Sequence, residues 1–184
     1  MSKANLIFYD FETTGLNPFH DEVIEYAFFN YTTGEKLEGF IKPTTPVSSK
    51  ITRITNITNE MLLNEDTLPV VVPKLETFLN KDNCIFVAHN NDGFDRFFLK
   101  RICLKSPLLS HRLKLWKYID TIHLAKLILP QLRGFSLKKL AEYFNIVPGT
   151  HRAMDDTIAL KDIYLKLIEK IPIKEPENIV RMLY

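Results

Sequence analysis

The first sixteen residues contain the feature that most constrains the fold. An apolar and aromatic run from Leu6 to Tyr9 leads directly into Asp10, Phe11 and Glu12. Because strand side chains alternate between two faces, Asp10 and Glu12 point one way and Phe11 the other. Two acids together on a buried strand repel each other and lose hydration, and a divalent cation is the simplest way to offset that cost. The alternative is that Asp10 ends the strand and Glu12 opens a solvated turn.

Length and composition predict one globular domain. The chain has 184 residues, of which 46% are hydrophobic and 25% charged, which is enough for a sizeable core and excludes a disordered chain. We predict a single domain over 1–184, with a core at about 5–170 and a short peripheral extension at 171–184. Two cysteines without CxxC spacing indicate core thiols in a reducing compartment. With no signal peptide or transmembrane segment in the sequence, we expect an intracellular protein, cytoplasmic or nuclear, without a membrane partner.

The order of predicted elements indicates an α/β fold. Three β-rich runs near 5–11, 23–31 and 36–41 have the pattern of an antiparallel meander. The later predicted strands are 83–88 and 118–121, and the predicted helices are 68–79, 92–105, 122–129, 136–144 and 152–170, with a helical turn at 59–62. Pro73 leaves open whether the first of these helices begins at that residue. We therefore expect a mixed central sheet, a three-strand antiparallel meander plus parallel strands, flanked by helices.

The last predicted helix distinguishes two neighbouring acids. Its apolar stripe follows the helical period and consists of Leu160, Ile163, Tyr164, Leu167 and Ile168. Asp156 lies four residues before Leu160, so it faces the sheet, whereas Asp155 shares a more polar face. A simple helix-capping role for Asp156 remains open.

A fourth inward acid lies on another predicted helix. Asp95 is in register with Phe98, Leu99 and Ile102 on the buried side of that helix. Capping is again the alternative for this single residue. Inward acids on three separate elements are harder to explain as caps.

Four converging carboxylates suit a pair of divalent ions that clamp the attacking and leaving oxygens of a displacement at phosphorus. The reaction also needs a group that accepts the proton of the attacking water. His151 lies in a loop opened by Pro148 and Gly149, five residues before Asp156. Since an imidazole has the right pKa range, His151 is the candidate general base.

Basic residues are concentrated between residues 96 and 139. This segment holds eleven Lys and Arg side chains, opposed only by Asp120, in a chain whose net charge is +2. The pattern favours a phosphate-binding side over ordinary solvated helix faces. Phe94, Trp116 and Tyr118 would be available to stack on bases if they are exposed.

Three sequence blocks resemble those of the DEDDh, or DnaQ-like, 3′→5′ exonucleases. They are residues 10–16 (DFETTGL), residues 89–95 (HNNDGFD) and residues 151–156 (HRAMDD). Their order and separation match the family, and the resemblance covers about residues 5–168. It implies a ribonuclease H-like fold and Mg²⁺- or Mn²⁺-dependent removal of single nucleotides from a 3′ end.

The resemblance also implies roles for individual residues. The metal ligands for two ions would be Asp10, Glu12, Asp95 and Asp156, with His151 as the general base. The substrate-binding residues would be Thr13, Thr14, Leu16, His89 and Asn90, with Leu16 wedged against the last base. For the two threonines, ordinary turn chemistry is an equally good interpretation, and His89 is also suited to ordering its own turn. The segment Ile119–Thr121 resembles the family's I-D-T segment and is interpreted as structural.

Two details refine the resemblance. Three residues separate His89-Asn90 from Phe94-Asp95, a spacing similar to that of the three-prime repair exonucleases. Asn56 stands where the family's I-x-x-I-x-G-I-T block has glycine, which argues against the proofreading subfamily. We therefore expect a 3′→5′ exonuclease acting on single-stranded ends, DNA rather than RNA. The alternatives are an exoribonuclease of the same family and the proofreading subunit of a DNA polymerase.

Overall fold

The computed structural model describes residues 4–184, which form five strands and nine helices. The strands are β1 (Asn5–Thr13), β2 (Val23–Asn30), β3 (Lys36–Phe40), β4 (Cys84–Ala88) and β5 (Lys117–Asp120). The helices are α1 (Ser49–Thr55), α2 (Asn59–Leu62), α3 (Leu68–Leu79), α4 (Asp95–Cys103), α5 (Pro107–Arg112), α6 (Thr121–Ile128), α7 (Leu137–Phe144), α8 (Ala153–Glu169) and α9 (Pro176–Leu183).

All five strands form one sheet in the order β3-β2-β1-β4-β5. The pairs β1–β2 and β2–β3 are antiparallel, whereas β1–β4 and β4–β5 are parallel. The predicted mixed sheet flanked by helices is therefore confirmed. Glu12 is paired with Glu25 of β2, and the register shifts between Glu12 and Thr13. The acids at the end of β1 thus lie where the regular ladder becomes irregular.

Alternation along β1 assigns its side chains to two cores. Ile7 and Tyr9 belong to an apolar cluster shared with α3, α4 and α5. Leu6 and Phe8 belong to a second cluster, shared with α6, α7, α8 and α9. Because strand side chains alternate, Asp10 continues the second series and lies on the face that α8 covers.

Some elements differ from the sequence-based expectation. Helices α1 and α5 are short and have no clear apolar period, so they were not predicted. Helix α3 continues through Pro73, which answers the question that this residue left open. Helix α4 begins at Asp95 rather than at residue 92, because Asn90 adopts a left-handed conformation (φ 62°) and its carbonyl accepts from Gly93 and Phe94 in a turn.

The C-terminal segment needs a correction. It was predicted as a peripheral extension, but it contains α9, whose Ile179 is fully buried in the second apolar cluster. The Tyr184 hydroxyl also donates to the Asp92 carboxylate at 2.5 Å, which joins the chain end to the turn before α4.

Among residues 4–184, no helix combines the length and apolar character that crossing a membrane requires.

Candidate active site

Three side chains from distant parts of the chain meet at the end of β1. Candidate ligand atoms of Glu12, His151 and Asp156 all lie within 4.8 Å of one another. Glu12 comes from the first strand and Asp156 from the first turn of α8, so tertiary packing alone brings them together. Carboxylate oxygens grouped this closely are suited to a hard divalent cation.

Asp10 is electrostatically coupled to the other acids. Its pKa is raised well above the ordinary aspartate value, first by burial and then by the negative charges of Asp95, Asp156, Glu12 and Glu25. Coupling of this kind requires the carboxyl groups to be near one another. Electrostatic coupling thus links Asp10 to the other three predicted acids and to Glu25, which the sequence analysis did not single out.

Asp95 supplies the clearest sign that the cluster fits a cation. Its residue is 2% exposed, and its Oδ1 atom is buried without a hydrogen-bond partner among the described residues. Burial, followed by the charge of Asp120, raises the pKa of this carboxyl. An unpartnered buried carboxylate oxygen is costly, and a bound metal ion removes that cost.

The pKa values of two further acids are also raised. Burial, with the charges of Asp156 and Glu25, raises the pKa of Glu12 to about 8, although the positive charge of Arg152 opposes the shift. Burial raises the pKa of Asp156 to about 6, and the charge of His151 opposes that shift. Ionising these carboxyls in the folded protein is therefore costly, and a divalent cation would lower all of these pKa values.

The loop before α8 presents His151 beside these acids. Its side chain is exposed, and its backbone is left-handed (φ 59°), an uncommon conformation for a residue other than glycine. Gly149 in the same loop lies against Asp156, where an added Cβ would overlap the carboxylate and lie 2.9 Å from Cα of Asp156. Glycine therefore permits the close approach of the loop to the acid cluster.

The two neighbouring acids of α8 have different surroundings. Asp156 is partly buried in the cluster, whereas Asp155 is exposed and accepts a hydrogen bond from the Thr150 hydroxyl at 2.5 Å. The placement agrees with the facing predicted from the helical period.

The side chains after the first acid pair are engaged in a turn. The Thr13 hydroxyl donates to the Gly15 carbonyl, and the Thr14 hydroxyl accepts from the Glu22 N–H. These hydrogen bonds correspond to the turn chemistry considered for both threonines. Leu16, by contrast, is 83% exposed and has no packing role in the core, which leaves it free to contact a substrate.

His89 and Asn90 lie in the turn after β4. The His89 Nδ1 atom is hydrogen-bonded to the Thr121 hydroxyl at 2.9 Å, and burial lowers the pKa of this imidazole. The side chain of Asn90 is exposed. Asp120 fixes this turn by accepting from the backbone N–H groups of Asn90 and Asp92 while it caps α6 through Ile122. Its hydrogen bonds agree with the structural interpretation of the I-D-T segment.

The expectation that aromatic side chains are available to stack on bases needs a correction. Trp116 and Tyr118 are 6% and 8% exposed, because both pack against Phe86 in the first apolar cluster. They are not available to stack on bases. Phe94 is only partly buried and packs on the same cluster.

Three arginines of the basic segment also have intramolecular partners. Arg96 pairs with Asp92, Arg101 donates to two loop carbonyls, and Arg112 pairs with Asp82. The basic surface expected from composition therefore depends chiefly on the segment's lysines.

Sequence reasoning missed Glu25 and Arg152. Glu25 is 4% exposed on β2 and accepts from Nε and Nη2 of Arg152 at 2.9 and 2.7 Å. Its other oxygen accepts from the Ala153 N–H at 3.1 Å. The available signal was an acid inside an otherwise apolar strand, because such a charge needs a partner.

Comparisons with known proteins agree with this geometry. The family model RNase_T, described as Exonuclease, matches residues 7–164. The PolC-type DNA polymerase III of Thermotoga petrophila is 37% identical over 172 residues, covering 90% of this chain and 12% of that protein. The PolC-type DNA polymerase III of Listeria monocytogenes is 33% identical over 183 residues, covering 97% of this chain and 12% of that protein. The chain thus spans only about an eighth of these relatives.

A solved structure with the same fold is a zinc-bound complex of E. coli ExoI with single-stranded DNA. It superposes with a TM-score of 0.75 at 19% identity, covering 92% of this chain and 41% of that one. The family match covers most of the chain and includes all three sequence blocks. The chain therefore belongs to the RNase_T family of DEDD exonucleases, which are divalent-metal-dependent nucleases, and the DnaQ-like assignment is confirmed.

Proposed function

We propose that this chain is a 3′→5′ exonuclease that removes nucleotides one at a time from single-stranded DNA. The observation that carries the proposal is the grouping of Glu12, Asp156 and the exposed His151 within 4.8 Å, to which Asp10 and Asp95 are electrostatically coupled. Asp10, Glu12, Asp95 and Asp156 would hold two Mg²⁺ or Mn²⁺ ions. When bound, such ions supply Lewis-acid chemistry at the phosphate and charge stabilisation for the leaving oxygen.

His151 would act as the general base. Its imidazole is exposed beside the acids, so it can accept a proton from a water that attacks the scissile phosphorus. Placement in a loop rather than in a helix allows the imidazole to adjust as a substrate enters. The phosphodiester bond then breaks to leave a 5′-mononucleotide and a new 3′-hydroxyl.

The residues after the first acid pair would hold the terminal nucleotide. The exposed Leu16 is suited to wedging against the last base, and Thr13 and Thr14 stabilise the turn that carries it. His89 and Asn90 would contribute to substrate binding from the turn after β4. Lysines of the basic segment would contact the phosphates of the strand.

DNA is favoured over RNA as the substrate. The relatives at 32–37% identity include polymerases named for DNA, and the neighbouring solved structures include complexes with DNA oligonucleotides. The alternative is an exoribonuclease. Contacts to the 2′-hydroxyl distinguish RNA from DNA, so matched DNA and RNA substrates decide between the two.

A proofreading role with a DNA polymerase is the second candidate. The match to PolC-type polymerases over 90% of this chain favours it, although Asn56 replaces the glycine expected in the proofreading subfamily. A direct test is whether the chain binds a DNA polymerase and removes the mismatched 3′ nucleotide from a primer that this polymerase then extends.

We also propose an intracellular location, cytoplasmic or nuclear. Cys84 and Cys103 are both buried free thiols, as expected in a reducing compartment.

A digest of labelled oligonucleotides tests the main proposal. Matched DNA and RNA single strands, labelled at either the 5′ or the 3′ end, are incubated with Mg²⁺ or Mn²⁺, with and without EDTA. We expect 5′-labelled DNA to shorten stepwise, 3′-labelled DNA to release its label as a mononucleotide at once, and EDTA to stop both reactions. Shortening from the 5′ end, or undiminished cleavage in EDTA, would contradict the proposal.

A further inference from the structure

Glu25 and Arg152 form a pair that connects the sheet to the residue after His151. Glu25 lies on β2 directly opposite Glu12, so both side chains point toward α8. Arg152 is the N-cap residue of α8 and donates twice to Oε1 of Glu25. Its guanidinium also lies 5.2 Å from the ring centroid of Phe40 on β3. The side chain is therefore fixed against two strands.

Glu25 differs from the acids proposed as metal ligands. Its Oε1 atom accepts both bonds from Arg152, and its Oε2 atom accepts from the Ala153 N–H. Asp95, in contrast, has a buried oxygen without a partner among the described residues. The protein itself satisfies Glu25, so this acid is suited to holding structure rather than a cation.

The pair is adjacent to a strained residue. His151 has φ 59°, a conformation that costs free energy for a residue other than glycine and persists only where its surroundings enforce it. The next two residues, Arg152 and Ala153, are the ones held by Glu25. Hydrogen bonds to a buried acid therefore hold the two residues on the C-terminal side of His151.

The body of α8 does not depend on this pair. Leu160, Ile163, Tyr164 and Leu167 bury the helix in the second apolar cluster. Loss of the pair should therefore release the loop before α8 while the helix stays docked. The effect should fall on His151 rather than on Asp156, which the helix carries.

We infer that Glu25 and Arg152 are positioning residues that hold His151 in its left-handed conformation beside Glu12 and Asp156. This inference rests on the proposed role of His151 as the general base. The pair touches neither substrate nor reacting atoms in this role. It acts by limiting the conformations open to the base, as residues that orient active-site groups commonly do.

Two variants test the inference by kinetics. Glu25→Gln and Arg152→Gln should each lower kcat by about 10- to 100-fold, with little change in KM, because substrate contacts remain. The kcat of the double variant should be only slightly lower than that of the less active single variant, since either change breaks the same pair. Glu169→Gln is the matched control, because it removes an acid that pairs with Lys166 at the exposed end of the same helix. It should leave kcat unchanged.

A double-mutant cycle with His151 separates positioning from general stability. In a His151→Ala background, Arg152→Gln should cost less than about threefold in kcat, because no base remains to be positioned. An undiminished loss in that background would overturn the inference. So would a kcat within about threefold of wild type for folded Arg152→Gln in the normal background.

Hydrogen exchange gives a readout that needs no activity. The amide of Ala153 and the loop 149–152 should exchange faster in Glu25→Gln and Arg152→Gln, while the apolar part of α8 stays protected. Unchanged exchange would overturn the inference even if activity fell. If wild-type protein cleaved no oligonucleotide, the proposed function would be wrong. Hydrogen exchange would then still test whether Glu25 and Arg152 hold the loop before α8. If Glu25→Gln did not fold, Arg152→Gln would serve for both the kinetic and the exchange measurements, because Arg152 is half-exposed.

Discussion

At the scale of single residues, the site combines charges that the fold crowds together. Burial raises the pKa of Glu12 to about 8 and that of Asp156 to about 6. Asp95 contributes a buried oxygen without a partner among the described residues. Without a cation, this arrangement opposes folding, because each acid raises the cost of ionising the others. Stability and metal binding should therefore be linked through these residues.

Neighbouring acids on α8 allow a matched test of the proposed site. Asp156→Asn should lower kcat by at least about 100-fold, because it removes a proposed ligand, whereas Asp155→Asn should cost less than about fivefold. The substitutions are chemically identical and one residue apart, but Asp156 is partly buried and Asp155 is exposed, so folding is checked for each variant. Steady-state cleavage of a single-stranded oligonucleotide, with circular dichroism to check folding, measures both. Equal losses would show that the facing of these acids does not decide their roles.

Glu12 should make the stability of the metal-free protein depend on pH. Its pKa rises from 4.5 to about 8 on folding, so between these values the folded state retains a proton that the unfolded chain has released. Its contribution to the free energy of unfolding is complete below about pH 4.5 and falls, by on the order of a few kcal/mol, as pH rises toward 8. Urea unfolding in EDTA across this range measures the fall.

Glu12→Gln supplies the comparison for that measurement. The amide stays neutral, so the variant should lose less stability than wild type as pH rises. Exposed Glu38 on β3 provides the control, since Glu38→Gln should leave the wild-type slope intact. Parallel slopes for wild type and Glu12→Gln would count against a raised pKa at Glu12.

At the scale of elements, connecting segments are held by side chains from elsewhere in the chain. Arg101 of α4 donates to the carbonyls of Pro18 and Asp21 at 2.7 and 2.6 Å. These bonds fix the loop that presents the exposed Leu16 at the end of β1. The loop is therefore ordered by a helix that follows it by eighty residues in sequence.

Arg101→Ala should weaken substrate binding more than chemistry. Without the two hydrogen bonds, the loop around residues 14–22 should move more freely, raising KM several-fold while kcat changes by less than about threefold. Lys50→Ala, at an exposed position of α1 outside the basic segment, is the control and should match wild type. Oligonucleotide titrations and hydrogen exchange of the loop report the two effects. An unchanged KM would mean that the loop does not contact the substrate.

At the scale of the whole molecule, one sheet separates two apolar cores. The C-terminal helix completes the second core through Ile179, which is fully buried. Ile179→Ala should therefore lower the free energy of unfolding by about 2–5 kcal/mol, whereas exposed Asn178→Ala should change it by less than about 1 kcal/mol. Thermal and urea unfolding compare the two. Equal small losses would indicate that α9 is marginal to the fold.

The distribution of charge over the molecule predicts salt-dependent binding. Lys138 and Lys139 of α7 are exposed, so reversing both charges should weaken binding of an oligonucleotide and flatten its dependence on salt. Reversal of exposed Lys36 and Lys50, outside the basic segment, is the control and should have a smaller effect. Fluorescence anisotropy at several salt concentrations, with catalysis blocked by EDTA, gives the slopes. Identical slopes would exclude this surface from phosphate contact.

The sequence alone predicted the sheet and the family, and it singled out Glu12, His151 and Asp156, whose candidate ligand atoms lie within 4.8 Å of one another. Strand alternation gave the common face of Asp10 and Glu12, and helical period separated Asp156 from Asp155. These rules need only local backbone geometry, which is why they worked without knowledge of the tertiary structure.

Only the tertiary structure decided which side chains are buried and which polar atoms have partners. Trp116 is buried because the packing of the helices on the sheet covers it. Glu25 has a structural role because Arg152, 127 positions later in the sequence, donates hydrogen bonds to it. The left-handed backbone of His151 and the docking of α9 likewise depend on contacts between distant segments. Periodicity describes where a side chain points, whereas burial and hydrogen bonding depend on what the rest of the chain places there.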